Sequence, residues 1–325
     1  MIPLLAAIVA AGIALPHCMN LRSAAPAPAA GLWLASLALR ALCAIFLVLY
    51  IVFFLPNTPL FHALTHWCWE TVLPLLASHS GLEGHRVGDA ATVVPGLLLA
   101  GSVLSVAFGV ARTARAVRRL IAHSLGQGPR GSVIVGGREI VLAAAGLARP
   151  RVVVTAGALL ALEDDELAAG LDHERGHIER RHRWVLLFAQ LCRSAGRVVP
   201  GGRRALAEVA FHLERDADRW SLSRRNDSLA LARAICKAAI GTPGASPALA
   251  ALSGTGASER VGQLVGRPRM ASRARNAALR GLAATMLVVV VTVAALVPPA
   301  AAAGAEQLSR GAFVPHCEHD RSDTL

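Results

Sequence analysis

Six cysteines (Cys18, Cys43, Cys68, Cys192, Cys236 and Cys317) are scattered along the 325 residues without a single C-x-x-C pair. That spacing indicates neither a disulfide framework nor a thiolate metal site. A zinc site in this chain is therefore expected to rest on histidine and carboxylate. Lysine is nearly missing too: Lys237 is the only one, and the net charge of +12 is carried almost wholly by arginine. Residues 1–15 carry no charge. A cleaved signal peptide opens on a positive segment, so a membrane helix is expected here instead. What is abundant is apolar: 54% of residues are hydrophobic and the mean hydropathy is +0.50, high for a soluble enzyme. The length allows one sizeable domain plus membrane segments, or two small domains.

The apolar residues are concentrated in four runs, at about 1–16, 32–55, 93–111 and 282–297. Each is read as a membrane span, the first of them short for the purpose. Residues 1–111 then form a membrane region of three spans with an outer loop at 56–91, and 298–325 is a short outer tail. Between the third and fourth spans lie 28 of the 33 basic residues and 14 of the 21 acidic ones. Arg112, Arg115, Arg118 and Arg119 follow the third span directly, and cationic flanks stay cytoplasmic. Residues 112–281 are thus expected inside the cell, with both termini outside. Arg40, in the second span, is expected to snorkel to the nearer interface. In the outer segments, Cys68 and Cys317 could form a disulfide, or join the nearby histidines in a metal site, or simply be unrelated.

The inner segment reads as a compact α+β unit. Ser132–Val135 and Glu139–Leu142 flank Gly136-Gly137, a hairpin-like signal. Arg151–Thr155, RVVVT, suits a strand. A helix is expected from near Glu163, where Glu163, Asp164, Asp165 and Glu166 complement the positive end of its dipole. Residues 241–258, rich in Gly, Ala, Pro and Ser, read as a flexible linker. His123 and His182 have no partner at ligand spacing and are expected on the surface.

On the expected helix sits His173-Glu174-Arg175-Gly176-His177. Residues four apart share a helix face, so the two imidazoles can reach one cation. Glu174 is placed to reach a water on that cation without ligating it. A third protein ligand is required. Glu214, in HLERDAD with 36 residues between it and His177, is the candidate, and Asp218 one turn on could accept a ligand imidazole N–H. The plainer alternative is that both acids pair with Arg215 and Arg219 on a solvated surface. Water activation by zinc with Glu174 as base is the chemistry such a site suggests. Val152, Val153, Val154 and Thr155 could bind an extended peptide by edge pairing. His212, Arg215 and Arg219 are the guesses for an oxyanion donor.

The run RVVVTAGALLALEDDELAAGLDHERGHIERRH, followed by ERDAD, resembles membrane gluzincin metallopeptidases, most closely the BlaR/MecR-type antirepressor peptidases, with HtpX-type proteases as relatives. The resemblance covers roughly residues 90–300. It implies a polytopic α-helical membrane protein carrying a zincin-like cytoplasmic metallopeptidase domain. It also implies one Zn2+ on His173, His177 and Glu214, catalysis by Glu174 and an orienting role for Asp218. BlaR/MecR sensors carry a large outer penicillin-binding domain after the last span, whereas only a short tail follows it here. β-Lactam sensing by that route is therefore not expected. The resemblance implies a protein substrate, such as a BlaI-type repressor, with membrane lipid around the spans and no direct nucleic-acid binding. The competing functions are HtpX-like quality control of membrane proteins and an inactive signalling scaffold.

Overall fold

The uninterrupted β-branched run Arg151–Thr155 becomes the centre of a small sheet. The computed structural model describes residues 2–55, 84–240, 256–266 and 273–309. Most of the outer loop, most of the expected linker at 241–258, and Cys68 and Cys317 lie outside those residues. The chain divides into two compact units, Met1–Ala41 with Val103–Val290, and Leu42–Ser102 with Val291–Leu325.

The helices α1 (Ile2–Cys18) and α2 (Pro26–Leu49) come first, α2 running on through a π-helical turn at Tyr50–Phe54. After them come α3 (Gly84–Ala122), the strands β1 (Gly126–Gln127), β2 (Val133–Val135), β3 (Leu142–Ala145) and β4 (Arg151–Thr155), and a short α4 (Ala156–Ala161). The remaining helices are α5 (Asp164–Glu179), α6 (His182–Ala195), α7 (Gly202–Ser223), α8 (Ser228–Ile240), α9 (Ala257–Val265), α10 (Arg273–Ala295) and α11 (Val297–Ser309). Among the described residues three helical stretches are long and apolar enough to cross a membrane: Pro26–Phe54, Val93–Ala122 and Arg273–Glu306. At 17 residues, α1 rises about 26 Å, short of a hydrocarbon core of roughly 30 Å.

In the first unit, the sheet order is β1-β2-β4-β3, with β2 parallel to β4 and the other pairs antiparallel. Two expectations are overturned here. The Gly136-Gly137 turn does not close a hairpin, because β4 lies between β2 and β3. The intervening chain instead passes over the end of β4 and is pinned there by Thr155. The Thr155 hydroxyl donates to the Glu139 carbonyl (2.5 Å) and accepts from the amides of Val141 (3.1 Å) and Ala158 (3.2 Å), the last as the N-cap of α4. Gly157 is required next to it, since a Cβ there would fall on the Arg138 carbonyl. The second correction follows: Val152, Val153, Val154 and Thr155 cannot pair with a substrate, because both edges of β4 are already bonded. A continuous apolar run marks a strand covered on both faces. Val153 packs with Val117 of α3 on one face, and Val154 with Ala158, Leu162 and Ala234 on the other. The edge strands are β1 and β3, and β3 is the one against α5.

α5 starts where the acidic residues place it. Glu163 is its N-cap, and the Glu163 amide donates to Glu166 Oε2 at 3.0 Å. Glu166 is fully buried, and its carboxylate is answered by Arg233 (3.0 Å) and Lys237 (2.6 Å), one turn apart on α8. Burial alone would raise the Glu166 pKa, but the bonds to Lys237, the Glu163 amide and Arg233 outweigh it and hold it below the usual carboxylate range. Only these partners allow a buried carboxylate to stay charged. α5 and α7 pack closely at Gly176, where a Cβ would stand 3.0 Å from the Trp220 side chain.

Arg40 does not snorkel. It is 2% exposed, and its guanidinium donates to the carbonyls of Pro200 (3.0 Å) and Ser36 (3.0 Å) and to the Ser36 hydroxyl, with His17 Nε2 at 2.8 Å. Enough acceptors surround the head group to replace its water, so the charge stays inside. It ties α1 and α2 to the turn between α6 and α7. In the second unit, the π-helical turn packs against α11, with Gly304 beside the Phe53 side chain.

Candidate metal centre

His173 and His177 project from α5 toward Glu214 on α7. His173 Nε2 stands 3.2 Å from His177 Nε2, and each lies 3.4 Å from a Glu214 carboxylate oxygen. These three form the cluster of potential metal ligands among the described residues. Tetrahedral bonds of about 2.0–2.1 Å to nitrogen and oxygen require donor separations of roughly 3.3 Å. The imidazole nitrogens are at about that spacing, each with a different Glu214 oxygen beside it, and one donor atom from each of the three residues lies within 4.8 Å of the others. Two imidazoles and one carboxylate fit zinc in chemistry.

Each imidazole is held from behind. Asp218 Oδ1 lies 2.9 Å from His173 Nδ1. His182 Nδ1 lies 3.0 Å from His177 Nδ1, and His182 Nε2 lies 3.3 Å from Asp216 Oδ2. The surface position expected of His182 is thus wrong: it is 3% exposed. Arg181 adopts the left-handed conformation (φ 54°), which turns the chain sharply between α5 and α6 and folds His182 back onto His177. Nothing in the spacing of His182 signals this, because a turn, not helical periodicity, brings the rings together.

Arg260 belongs to the site although no spacing in the sequence points to it. It sits on α9, at the end of the expected flexible linker, yet is only 4% exposed. It grips Asp218 through two bonds (2.9 and 2.6 Å) and donates to Glu214 Oε2 at 2.7 Å. Glu214 and Asp218 therefore pair with a buried arginine and not with Arg215 or Arg219. α9 is held in turn by Arg22, which bonds both Glu259 and Glu208. The acidic Glu259 and apolar Val261 and Leu264 were the available signal for a helix here.

The electrostatics follow from burial and these partners. For His173, burial favours the neutral ring, but the carboxylates of Asp218 and Glu214 outweigh it and raise the pKa to about 10. Loading a metal at Nε2 therefore requires release of a proton. Burial, with the His173 charge beside it, pushes His177 down to about 3. Glu214 falls to about 2 despite its burial, through the bond to His173 and the charge of Arg260. Glu174 moves the other way: burial and the Glu214 charge raise it to about 7, against the pull of His173, the Ala144 amide and Arg260. Its Oε2 accepts from the Ala144 N–H at 2.7 Å, so the carboxyl is fixed against the edge strand β3.

A cleft of about 600 Å³ opens over these residues, lined on one side by β3 and on others by α5, α6, α7 and α9. Of the three guessed oxyanion donors, none lines it. His212 is fully buried, its pKa pushed down to about 3 by burial and by Arg215. Arg215 donates to the Ala24 carbonyl at 3.0 Å. Arg260 does line the cleft.

Residues 111–208 match the family model for Peptidase family M48. The match supports an M48 metallopeptidase family. It takes in His173, Glu174 and His177 and stops short of Glu214 and Asp218, which the sequence pattern offers and the fold brings to the imidazoles, and of Arg260, which the fold alone adds to the site. No curated protein and no solved structure shows a significant match to the chain.

Proposed function

We propose that this chain is an integral-membrane zinc endopeptidase that binds one Zn2+ through His173, His177 and Glu214 and uses Glu174 as general base. The observation that carries this reading is the donor triangle with a carboxyl of raised pKa beside it in a cleft. A zinc ion held there supplies Lewis acidity toward a peptide carbonyl and lowers the pKa of water. Glu174, titrating near neutrality, takes a proton from the attacking water and returns it to the leaving nitrogen. Asp218 fixes the ring of His173, and His182 with Asp216 fixes that of His177, so neither imidazole has to be ordered during the reaction.

The substrate pairs with β3. In an antiparallel ladder alternate residues bond to the neighbouring strand. The Val141 carbonyl accepts from Thr155 of β4, while the Ala144 amide turns away from β4 to Glu174. By that alternation Leu142 and Ala144 face the open edge, and an extended peptide laid along it passes over the metal ligands. The Ala144–Glu174 bond sets the base in register with the strand that holds the substrate.

Chelation gives the direct test. Purified protein is expected to lose hydrolysis of an unstructured peptide when stripped of metal and to regain it with about one equivalent of zinc. Turnover that persists in the stripped protein would rule the reading out.

In the cell, the substrate we propose is a cytoplasmic regulator such as a BlaI-type repressor. The support is the arginine-rich domain placed between α3 and α10. A Glu174→Gln trap that enriches one DNA-binding protein agrees with this, and a broad catch of unfolded membrane proteins points to quality control instead. The orientation has its own test. Leu125 is 68% exposed just after α3, and Leu125→Cys, in a background whose six native cysteines are replaced by serine, is expected to react with an impermeant maleimide only once the membrane is opened. Labelling in intact cells would reverse the topology.

A further inference from the structure

One arginine in the cleft has nothing to hold. Arg183 lines it from the first turn of α6, and its Nε and Nη1 are shielded from solvent with no hydrogen-bond partner among the described residues. Burying guanidinium N–H groups unpaired is costly, and a native site that does so is short of an acceptor. The two carboxylates of the cleft are engaged elsewhere. Glu214 is committed to Arg260 and Glu174 to the Ala144 amide.

The wall around Arg183 is built from two helix faces. Arg183, Leu186 and Gln190 recur at helical spacing on α6, and Arg203, Leu206 and Ala210 do so on α7, and all six line the cleft. Along α7 the face leads from Arg203 to Glu214, eleven residues or roughly 16 Å at a helical rise. An extended peptide covers that distance in about five residues. The wall therefore carries positive charge along a peptide's length, beginning next to the metal ligands. No acidic residue of α6 or of that α7 face offsets it before Glu214.

The geometry points to Arg183 as the anchor of an acidic subsite, so that the chain selects substrates with an Asp or Glu side chain a few residues from the cut bond, Arg203 adding a weaker second contact. This rests on the peptidase reading and names its substrate class. Arginine suits the task because its planar fork bonds a carboxylate through two N–H groups at once. A glutamine in the same place offers a neutral acceptor and leaves the charge unanswered.

The test uses the zinc-loaded full chain and a quenched decapeptide with blocked ends, in which glutamine is replaced by glutamate one position at a time. The expected result is one position where glutamate raises kcat/KM about ten- to a hundredfold over glutamine, the range for a hydrogen bond to a charged group. Arg183→Gln should erase that preference, and Arg183→Glu should transfer it to lysine at the same position. Arg183→Lys, which keeps the charge but not the fork, should retain part of it. Variants are compared only at the parent's zinc content and melting temperature. A flat scan overturns the proposal. So does an Arg183→Gln variant that slows every peptide by one factor, the mark of an arginine acting on the scissile carbonyl. Should no peptide be cut, the peptidase reading falls separately, and binding of the same peptides by fluorescence anisotropy decides the subsite. Tighter binding of the glutamate peptide to the parent than to Arg183→Gln keeps it, and equal binding removes it.

Discussion

Glu174→Gln is expected to lower peptide turnover by about 10²–10⁴-fold, the usual worth of a positioned general base, with KM and zinc content close to the parent's. The substitution suits the site. The Glu174 side chain accepts from the Ala144 N–H at 2.7 Å and is not one of the three ligand atoms. An amide oxygen can take over that bond, so the strand and the metal are left in place while the proton acceptor is lost. Burial and the Glu214 charge raise the Glu174 pKa to about 7, which suits a group that must both take and return a proton. Steady-state kinetics beside metal analysis separate the two losses. A variant that turns over at the parent's rate would remove Glu174 from the mechanism. One that loses zinc as well would assign it a structural role instead.

The second large effect is expected at Arg260. Its side chain lies between two buried carboxylates, 2.7 Å from Glu214 and 2.6 Å from Asp218. Removing one member of a buried ionic network leaves the others uncompensated, at a cost of about 3–5 kcal/mol. Arg260→Met should therefore melt on the order of 10 °C below the parent when metal is stripped. With zinc added the gap should narrow, because a dication next to Glu214 takes over part of the neutralisation. Arg260→Lys, a point charge without the fork, should fall between them. Thermal melts with and without chelator read this directly. Equal melting of Arg260→Met and parent in chelator would show that the arginine contributes no net compensation. An equal deficit with and without zinc would mark a packing role unrelated to the metal centre.

These two residues differ in how far they could be foreseen. Glu174 is visible because the helix that carries it is local. Four residues make a turn, the acidic first turn marks the start, and His173, Glu174 and His177 keep their relation wherever the helix goes. Glu214 and Asp218 are half visible, since their own spacing is helical but their distance from His173 depends on how α7 crosses α5. That crossing is set by Gly176 against Trp220, a contact no periodicity encodes. Arg260 and His182 were invisible for the same reason carried further. One arrives on a separate short helix, and the other returns through a left-handed Arg181. The strands show the opposite failure. RVVVT and the run at 132–135 are legible as strands, but their pairing is not, because the Gly136-Gly137 turn gives the change of direction without saying whether the next partner is adjacent in sequence.

Arg40 was misplaced by a rule that treats the bilayer as the only alternative to water, when protein carbonyls were closer. The sequence by itself determined the features that are local: apolar helices of spanning length, the HExxH face and the extended conformation of Arg151–Thr155. Only the tertiary structure decided which strand is the open edge, what closes behind each imidazole and which cation pairs with the acids. Those choices depend on backbone groups and side chains that meet across long stretches of chain, where packing and desolvation, rather than local propensity, set the free energy.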